Sequence, residues 1–172
     1  SADIYGRDPK LGRGSSEIHF SQALKQSGLR RDDFYIQSKA GLFADETGRI
    51  TRYDSSKKHL LTAVDGILER MGIDYLDSFL IHRPDPLMEP EEVAAAFDEL
   101  QKAGKVRHFG VSNFNPQQIE LLQQACSQRL LIDQLQFSIM HTGMIDFGLH
   151  TNMTDQASLN HDGGLLEYTR RK

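Results

Sequence analysis

The chain has 172 residues, of which 38% are hydrophobic and 26% are charged, and its formal net charge at pH 7 is −4. These values fit one folded domain and give no indication of a nucleic-acid-binding surface. No apolar run approaches the ~20 residues of a membrane-spanning helix, and the single cysteine, Cys126, cannot form an internal disulfide, so we expect a cytoplasmic protein.

The first residues, 1–6, predict the end of a strand that is already in progress, and there is no initiator methionine, so we expect an internal fragment of a longer chain. A loop rich in glycine and charged residues follows over 6–14. A short helix then ends near Gly28, and Ser15 or Ser16 is positioned to cap its first turn.

The next two elements are predicted to be a strand and a long amphipathic helix. Residues 33–39, rich in aromatic and β-branched side chains, predict a strand that ends at Lys39, and a polar loop follows. Asp54 or Ser55 is expected to cap the helix, and Gly72 stands where a glycine commonly terminates one. Apolar residues recur at helical spacing between these ends: Leu60, Leu61, Val64, Ile67, Leu68 and Met71.

A mostly apolar run over 76–81 predicts a buried strand that delivers His82 into a loop with two prolines. A helix is expected from Pro90, a residue favoured in a first helical turn, to Gly104. One face of that helix is apolar, with Val93, Ala96, Phe97 and Leu100. The sequence therefore repeats a strand-then-helix unit.

The same unit occurs again immediately afterwards. Residues 105–111 predict a strand that ends in Ser112 and Asn113, and a further helix follows. Residues 130–138 predict another strand, which contains Gln134.

Strands that alternate with helices imply right-handed βαβ units and a parallel α/β sheet. No element is predicted over 141–162, and residues 163–168 predict the start of a helix. An open doubly wound sheet that binds a dinucleotide usually has a G-x-G-x-x-G turn, which is missing from this sequence. Polar residues at nearly every strand end favour a (β/α)8 TIM barrel, in which they meet at one face. We expect residues 1–172 to form one partial barrel domain.

The candidate site residues all lie at predicted strand ends: Tyr5, Lys39, His82, Ser112, Asn113 and Gln134. A tyrosine can act as a general acid near neutrality only if a neighbouring cation favours its ionised form, and Lys39 could be that cation. His82, as a neutral donor, could hold a substrate carbonyl in line with the tyrosine hydroxyl. These residue types therefore indicate acid–base chemistry on a carbonyl group.

Two other kinds of site are weighed against this one. Asp3, His82 and Asp85 together could ligate a divalent ion, but the sequence has no H-x-H or H-E-x-x-H spacing, so we expect no metal site. Nucleophilic catalysis through Cys126 is less favoured still, because this residue falls in a predicted helical segment with no histidine placed to activate it.

Several motifs together resemble one known family. The motifs are Ala2–Gly6, Ser38–Lys39, Leu80–Asp85, Gly104–Phe114 and Asp133–Gln134. In these motifs the chain is similar to the aldo-keto reductases, and within them to bacterial oxidoreductases whose fourth strand ends in Ile-His-Arg-Pro-Asp-Pro. The block from Gly104 to Phe114 is the most specific of the matches.

The resemblance implies an enzyme that passes the hydride of NADPH to an aldehyde or ketone, with a small carbonyl compound as its substrate and no nucleic-acid or membrane partner. It implies that Tyr5 is the proton donor, that Lys39 assists its ionisation and that His82 orients the carbonyl. Three further residues would hold the nicotinamide carboxamide: Ser112, Asn113 and Gln134.

The resemblance also implies that the chain covers about strands 2 to 6 of the barrel with their helices. The family's catalytic aspartate, five positions before the tyrosine, would fall immediately before Ser1. Two alternatives stay open: a catalytically inactive barrel fragment that acts as an interaction module, and a nicotinamide-binding module that regulates a partner.

Overall fold

The structure, a computed structural model, describes residues 1–149, 153, 154, 156, 159 and 163–171. The strands in that part of the chain are β1 (Arg7–Asp8), β2 (Gly12–Arg13), β3 (Gln37–Ala40), β4 (Leu42–Ala44), β5 (Ile50–Tyr53), β6 (Leu76–Ile81), β7 (Val106–Ser112) and β8 (Leu130–Gln134). The helices are α1 (Ser15–Ser27), α2 (Lys57–Met71), α3 (Pro90–Lys102), α4 (Pro116–Ala125), α5 (Gly143–Leu149) and α6 (Leu165–Thr169). None of these helices combines the length and apolar character that crossing a membrane requires.

The central sheet has four parallel strands in the order β3-β6-β7-β8. Each neighbouring pair is joined through one helix, α2, α3 or α4. Consecutive helices from α1 to α4 contact one another, so they form a single layer along the sheet. The predicted parallel α/β arrangement is confirmed, and a doubly wound sheet, which carries helices on both faces, is not what forms.

The sheet is strongly curved. Its two edge strands are β3 and β8, which would lie about 14 Å apart in a flat sheet with ordinary strand spacing. Nevertheless the side-chain oxygen Oε1 of Gln134 in β8 accepts hydrogen bonds from Lys39 Nζ (2.9 Å) and Gln37 Nε2 (3.2 Å), both in β3. Curvature of this kind, with the helices in one layer, is that of a partial (β/α) barrel.

The hydrophobic core lies between the helix layer and the sheet. All six residues of β6 are buried, as the continuous apolar run predicts. The Phe97 ring of α3 stacks on Phe109 with ring centroids 4.2 Å apart and meets Phe79 edge-on at 6.4 Å. Full burial of one such side chain is worth about 1.5–3 kcal/mol. This interface therefore holds the strand ends in fixed relative positions.

The helix caps differ from those predicted. The first turn of α2 is capped by Ser56, whose Oγ accepts from His59 N at 3.3 Å, and not by Asp54 or Ser55. Asp54 instead accepts a hydrogen bond from the Ser56 hydroxyl at 2.7 Å, so it orients the capping residue and does not itself cap the helix. Gly72 terminates the helix with a φ of +65°, as predicted.

The first helix begins at a glycine and not at a capping serine. Gly14 is the N-cap of α1, with a φ of +78°, and the helix ends at Gly28 as predicted. Ser15 Oγ is bound by Asp8 N at 3.0 Å, and Ser16 Oγ lies 3.1 Å from Ser1 Oγ. Both serine hydroxyls therefore contact the preceding loop and do not cap the helix.

Two predicted strands are shorter in the structure. Residues 31–33 form a 3-10 turn, because the Asp33 carboxylate accepts from Arg30 N at 2.8 Å, and β3 starts only at Gln37. At the other edge, β8 ends at Gln134, and a bridge between Ser138 and His141 turns the chain back.

Other segments contain elements where none, or a different one, was predicted. The polar loop after Lys39 is the antiparallel hairpin β4–β5, whose turn is closed by the Asp45 carboxylate accepting from three groups. Part of the segment 141–162 is helical, namely α5, and most of the rest lies outside the described residues. Residues 1–6 form no strand, although Asp3 N donates to Lys39 O at 3.0 Å.

Candidate active site

Three of the residues predicted from strand ends lie side by side at the carboxyl edge of the sheet. Lys39 is in β3, His82 directly follows β6, and Tyr5 lies in a turn in which its N–H donates to Ala2 O at 3.0 Å. Tyr5 Oη is 3.2 Å from His82 Nε2, with the two rings nearly perpendicular. Lys39 Nζ lies 5.0 Å from the centroid of the Tyr5 ring. The structure thus brings the three candidate catalytic residues together.

Lys39 places a buried ammonium group beside the tyrosine. Its side chain is buried, and Nζ donates to Ser1 O and to Gln134 Oε1, both at 2.9 Å. Burial lowers the pKa of Lys39, because removal from water disfavours the charged form. Two hydrogen bonds therefore hold the ammonium group in place beside the Tyr5 ring.

His82 is held in its neutral form. Burial lowers the pKa of His82 to about 4, and the positive charges of Lys39 and Arg83 act in the same direction. The ring nitrogen Nδ1 is buried and has no hydrogen-bond partner among the described residues. The imidazole therefore meets its surroundings through Nε2, the atom that faces the Tyr5 hydroxyl.

We expect the His82 ring to remain uncharged down to a pH near 4. Because its folded-state pKa lies below the ordinary value of 6.5, the histidine of the unfolded chain takes up a proton first, so the free energy of unfolding falls as the pH decreases from 6.5 to about 4. The measurement is a titration of the histidine ring protons by NMR, with a His82→Gln variant to assign the resonance. A His82 resonance that titrates between pH 6 and 7 would contradict this expectation.

The other three candidate residues form a second group at the ends of β7 and β8. Ser112 Oγ donates to Gln134 O at 2.9 Å and accepts from Asn113 Nδ2 at 2.9 Å. The Asn113 N–H donates to the same Gln134 carbonyl at 3.1 Å. Asn113 has a φ of +60°, in the left-handed region that asparagine tolerates better than most residues. The three residues are therefore fixed as one unit.

Gly110 allows β7 and β8 to approach closely just before this unit. A Cβ atom at this position would overlap the Ile132 carbonyl oxygen and lie 2.8 Å from Leu80 Cδ2. A side chain at Gly110, which lies in the Gly104–Phe114 block, is therefore sterically excluded.

The free hydrogen-bonding groups of the second unit fit a carboxamide. Gln134 Oε1 is used within the protein, since it accepts from Lys39 and Gln37. In the described part of the chain, Gln134 Nε2 and Asn113 Oδ1 have no hydrogen-bond partner. One N–H donor and one carbonyl acceptor complement the oxygen and the NH₂ group of a nicotinamide carboxamide.

The alternative metal site is not assembled. Within the described ranges, no three histidine, cysteine, aspartate or glutamate side chains lie close enough to hold an ion. Asp85 Oδ1 accepts from Leu87 N at 2.9 Å in its own loop. Burial raises the pKa of Asp3 to about 7, partly offset by the charge of Arg13.

Cys126 lies apart from these residues. The sequence predicted that Cys126 lies inside a helix. In the structure it is the C-terminal cap of α4 and has an extended backbone. Burial raises the pKa of its thiol to about 11, and the charge of Asp98 adds to the effect. A thiol with such a pKa is a poor nucleophile at neutral pH.

Sequence reasoning missed two buried carboxylates, one next to the site and one at the opposite end of the sheet. Glu17 on α1 is fully buried and paired with Arg70 of α2, with 2.8 Å between Oε2 and Nε. Asp77 of β6 is buried and paired with Arg31 (2.7 Å) and Arg107 (3.2 Å). No local pattern distinguishes these carboxylates from solvent-exposed ones.

Comparison with known protein sequences shows one family. The sequence model described as "Aldo/keto reductase family" matches residues 1–170. The oxidoreductase YdhF of Escherichia coli (strain K12) is 40% identical over 146 residues, covering 84% of this chain and 47% of the relative. The 6-dehydroglucose reductase of Agrobacterium fabrum is 39% identical over 145 residues, with 82% and 47% covered. The chain thus spans about half the length of these curated relatives.

Solved structures show the same relationship. The thermostable aldo-keto reductase Tm1743 superposes with a TM-score of 0.66 at 28% identity, covering 82% of this chain and 45% of that one. The aldo-keto reductase AKR11C1 from Bacillus halodurans, in its holo form, gives a TM-score of 0.67 at 27% identity, with 85% and 45% covered. The predicted partial (β/α)8 barrel is thereby confirmed. Together with the match over residues 1–170, this shows that the chain belongs to the aldo/keto reductase family.

Proposed function

We propose that the full-length protein is an oxidoreductase that reduces aldehydes or ketones to alcohols with NADPH, and that Tyr5 donates the proton. The observation that carries the proposal is the contact of Tyr5 Oη with His82 Nε2 at 3.2 Å, beside the Lys39 ammonium. Membership of the aldo/keto reductase family supports the reaction type.

The proposed proton transfer runs from Tyr5 Oη to the carbonyl oxygen of the substrate. The phenolate that this leaves is stabilised by Lys39, whose ammonium is held near the ring by Ser1 O and Gln134 Oε1. A buried cation stabilises developing negative charge more strongly than one in water. Lys39 therefore acts on the tyrosine and not on the substrate.

His82 is proposed to orient the carbonyl. A neutral imidazole can donate one hydrogen bond without competing as an acid, and Nε2 is the ring nitrogen next to Tyr5 Oη. A carbonyl oxygen that accepts from both groups has its proton donor fixed in place.

The nicotinamide is proposed to lie against Asn113 and Gln134, whose free acceptor and donor match its carboxamide. When bound, the reduced nicotinamide supplies the hydride. Ser112 orients Asn113 through its hydrogen bond to Nδ2. The choice of NADPH over NADH rests on the family resemblance alone.

A sugar-derived carbonyl is the first substrate class to try, because one relative is named 6-dehydroglucose reductase. That name describes the relative and guides the choice of compounds.

The test is an assay of the purified full-length protein with NADPH and a panel of aldehydes, ketones and dehydro-sugars. The reaction is monitored by the decrease in NADPH absorbance. We expect a kcat/KM of at least about 10⁴ M⁻¹s⁻¹ for the best compound, and a lower value with NADH. Tight NADPH binding without turnover on any compound would instead favour a regulatory module. A protein that neither binds NADPH nor reduces a carbonyl would be an inactive member of the family.

A further inference from the structure

A fully buried carboxylate, that of Glu17 on α1, lies behind the Tyr5–Lys39 pair. Its Oε1 accepts from Ser38 Oγ at 2.7 Å, and its Oε2 accepts from Arg70 Nε at 2.8 Å. Both oxygens are thus bonded, one to the sheet and one to the neighbouring helix. Removing one partner of such a pair leaves a buried charge uncompensated, so the carboxylate ties the sheet and the two helices together.

One arm of this arrangement reaches Lys39. Ser38 and Lys39 are consecutive in β3, so their side chains point to opposite faces of the sheet. The hydrogen bond from Ser38 to Glu17 attaches β3 to α1. This attachment is one residue before Lys39, whose side chain faces the site. Moving α1 relative to β3 would move the Lys39 ammonium.

The other arm reaches Tyr5. The N–H of Ser16, the residue before Glu17, donates to Tyr5 O at 3.2 Å. A Cβ at Gly6 would overlap Ser16 N, so the chain after Tyr5 lies directly against the first turn of α1. The backbone of the proton donor is therefore attached to the same helical turn that carries Glu17.

The space for the Arg70 side chain is provided by two glycines. A Cβ at Gly14 would lie 2.7 Å from Arg70 Nε, and one at Gly66 would lie 2.9 Å from Nη1. Side chains at either position would displace the guanidinium from Glu17. The absence of side chains at Gly14 and Gly66 therefore leaves the space in which Arg70 pairs with Glu17.

We propose that Glu17 is a positioning residue that sets the placement of Tyr5 relative to Lys39, through Ser16 on one side and Ser38 on the other. It touches neither substrate nor cofactor. The inference rests on the proposed function for its kinetic consequence, but the placement of the side chains can be measured without turnover.

The experiment compares Glu17→Gln with Asp77→Asn in the full-length protein. Asp77 is a second buried, arginine-paired carboxylate, five residues before His82 on β6 and about 16 Å from it along the strand. For Glu17→Gln we expect kcat per folded molecule to fall about tenfold, with the KM for the carbonyl and the Kd for NADPH within twofold of the wild-type values. The His82 ring resonances, which report the contact with Tyr5, should shift in Glu17→Gln and not in Asp77→Asn.

Four results would overturn the inference. The first is a Glu17→Gln variant with unchanged kcat and unchanged His82 resonances. The second is an equal loss of kcat in both variants, which would mean general destabilisation. The third applies if the wild type reduces no carbonyl, and it is an unchanged His82 spectrum in Glu17→Gln. This measurement needs no turnover, so it tests the placement of Tyr5 even if the proposed function fails. If Glu17→Gln does not fold, Ser38→Ala keeps the ion pair and should lower kcat about threefold, and an unchanged kcat there would overturn the inference as well.

Discussion

Replacing Tyr5 by phenylalanine is expected to lower kcat for carbonyl reduction by a factor of about 10² to 10⁴, the usual contribution of a positioned general acid. The substitution removes only the hydroxyl that lies 3.2 Å from His82 Nε2, and it leaves the ring beside Lys39. Binding of NADPH should change little, because the residues proposed to hold the carboxamide lie on other strands. The measurements are steady-state kinetics and NADPH affinity in the full-length protein.

Tyr53→Phe is the matched control for this variant. Tyr53 is 39% exposed and Tyr5 is 43% exposed, and the Tyr53 hydroxyl makes no hydrogen bond within the described part of the chain. The control should retain the wild-type kcat. A Tyr5→Phe enzyme with more than a tenth of the wild-type kcat would remove Tyr5 from the role of proton donor.

The elements that sequence reasoning located well are those whose burial is encoded locally. The apolar run of β6 and the helical periodicity of α2 each mark a face or strand that must be covered. The hairpin β4–β5 was missed because all four residues of β5 are exposed, so no alternation marks it. The cap of α2 was misplaced because Asp54, Ser55 and Ser56 are all capable caps, and only the tertiary contacts choose between them.

The same distinction applies to the candidate site. Lys39 and His82 could be selected as candidates because each ends a recognisable strand pattern, whereas the strand predicted before Tyr5 does not form and Tyr5 was selected through its family motif. The bond between Lys39 and Gln134 joins residues 95 positions apart, and that between Glu17 and Arg70 joins residues 53 positions apart. Such pairs depend on the curvature of the sheet and the order of the helices, which no local window of sequence contains.

Asp77 shows how a residue without a local signal can be central to stability. Its Oδ2 accepts from Ile36 N at 2.8 Å and from Arg31 Nη2 at 2.7 Å, and its Oδ1 accepts from Arg107 Nη1 at 3.2 Å. The two guanidinium groups also lie against the Tyr75 ring, at 4.0 and 3.9 Å from its centroid. One carboxylate thus joins the segment before β3 to β6 and β7 at the end of the sheet opposite to the candidate site.

We expect Asp77→Ala to lower the free energy of unfolding by about 3–5 kcal/mol, because it leaves a buried N–H and two arginines without their common acceptor. Burial opposes ionisation of Asp77, but the bonds from Ile36 N and Arg31 and the charge of Arg107 outweigh it and lower its pKa. With a depressed folded-state pKa, the contribution is present above the ordinary value of 3.8 and is lost as the pH falls through the folded-state value. Urea unfolding at pH 7 and below pH 3.8 measures both effects.

Asp74→Ala is the control, since Asp74 is exposed three residues earlier and has no hydrogen bond or ion pair within the described ranges. Its effect should stay within about 0.5 kcal/mol, as for most surface substitutions. The difference between the wild type and Asp77→Ala should narrow in acid, because protonated Asp77 no longer pairs with either arginine. A loss below about 1 kcal/mol at pH 7, or one independent of pH, would mean that the arginines find other acceptors and that Asp77 is not what joins these strands.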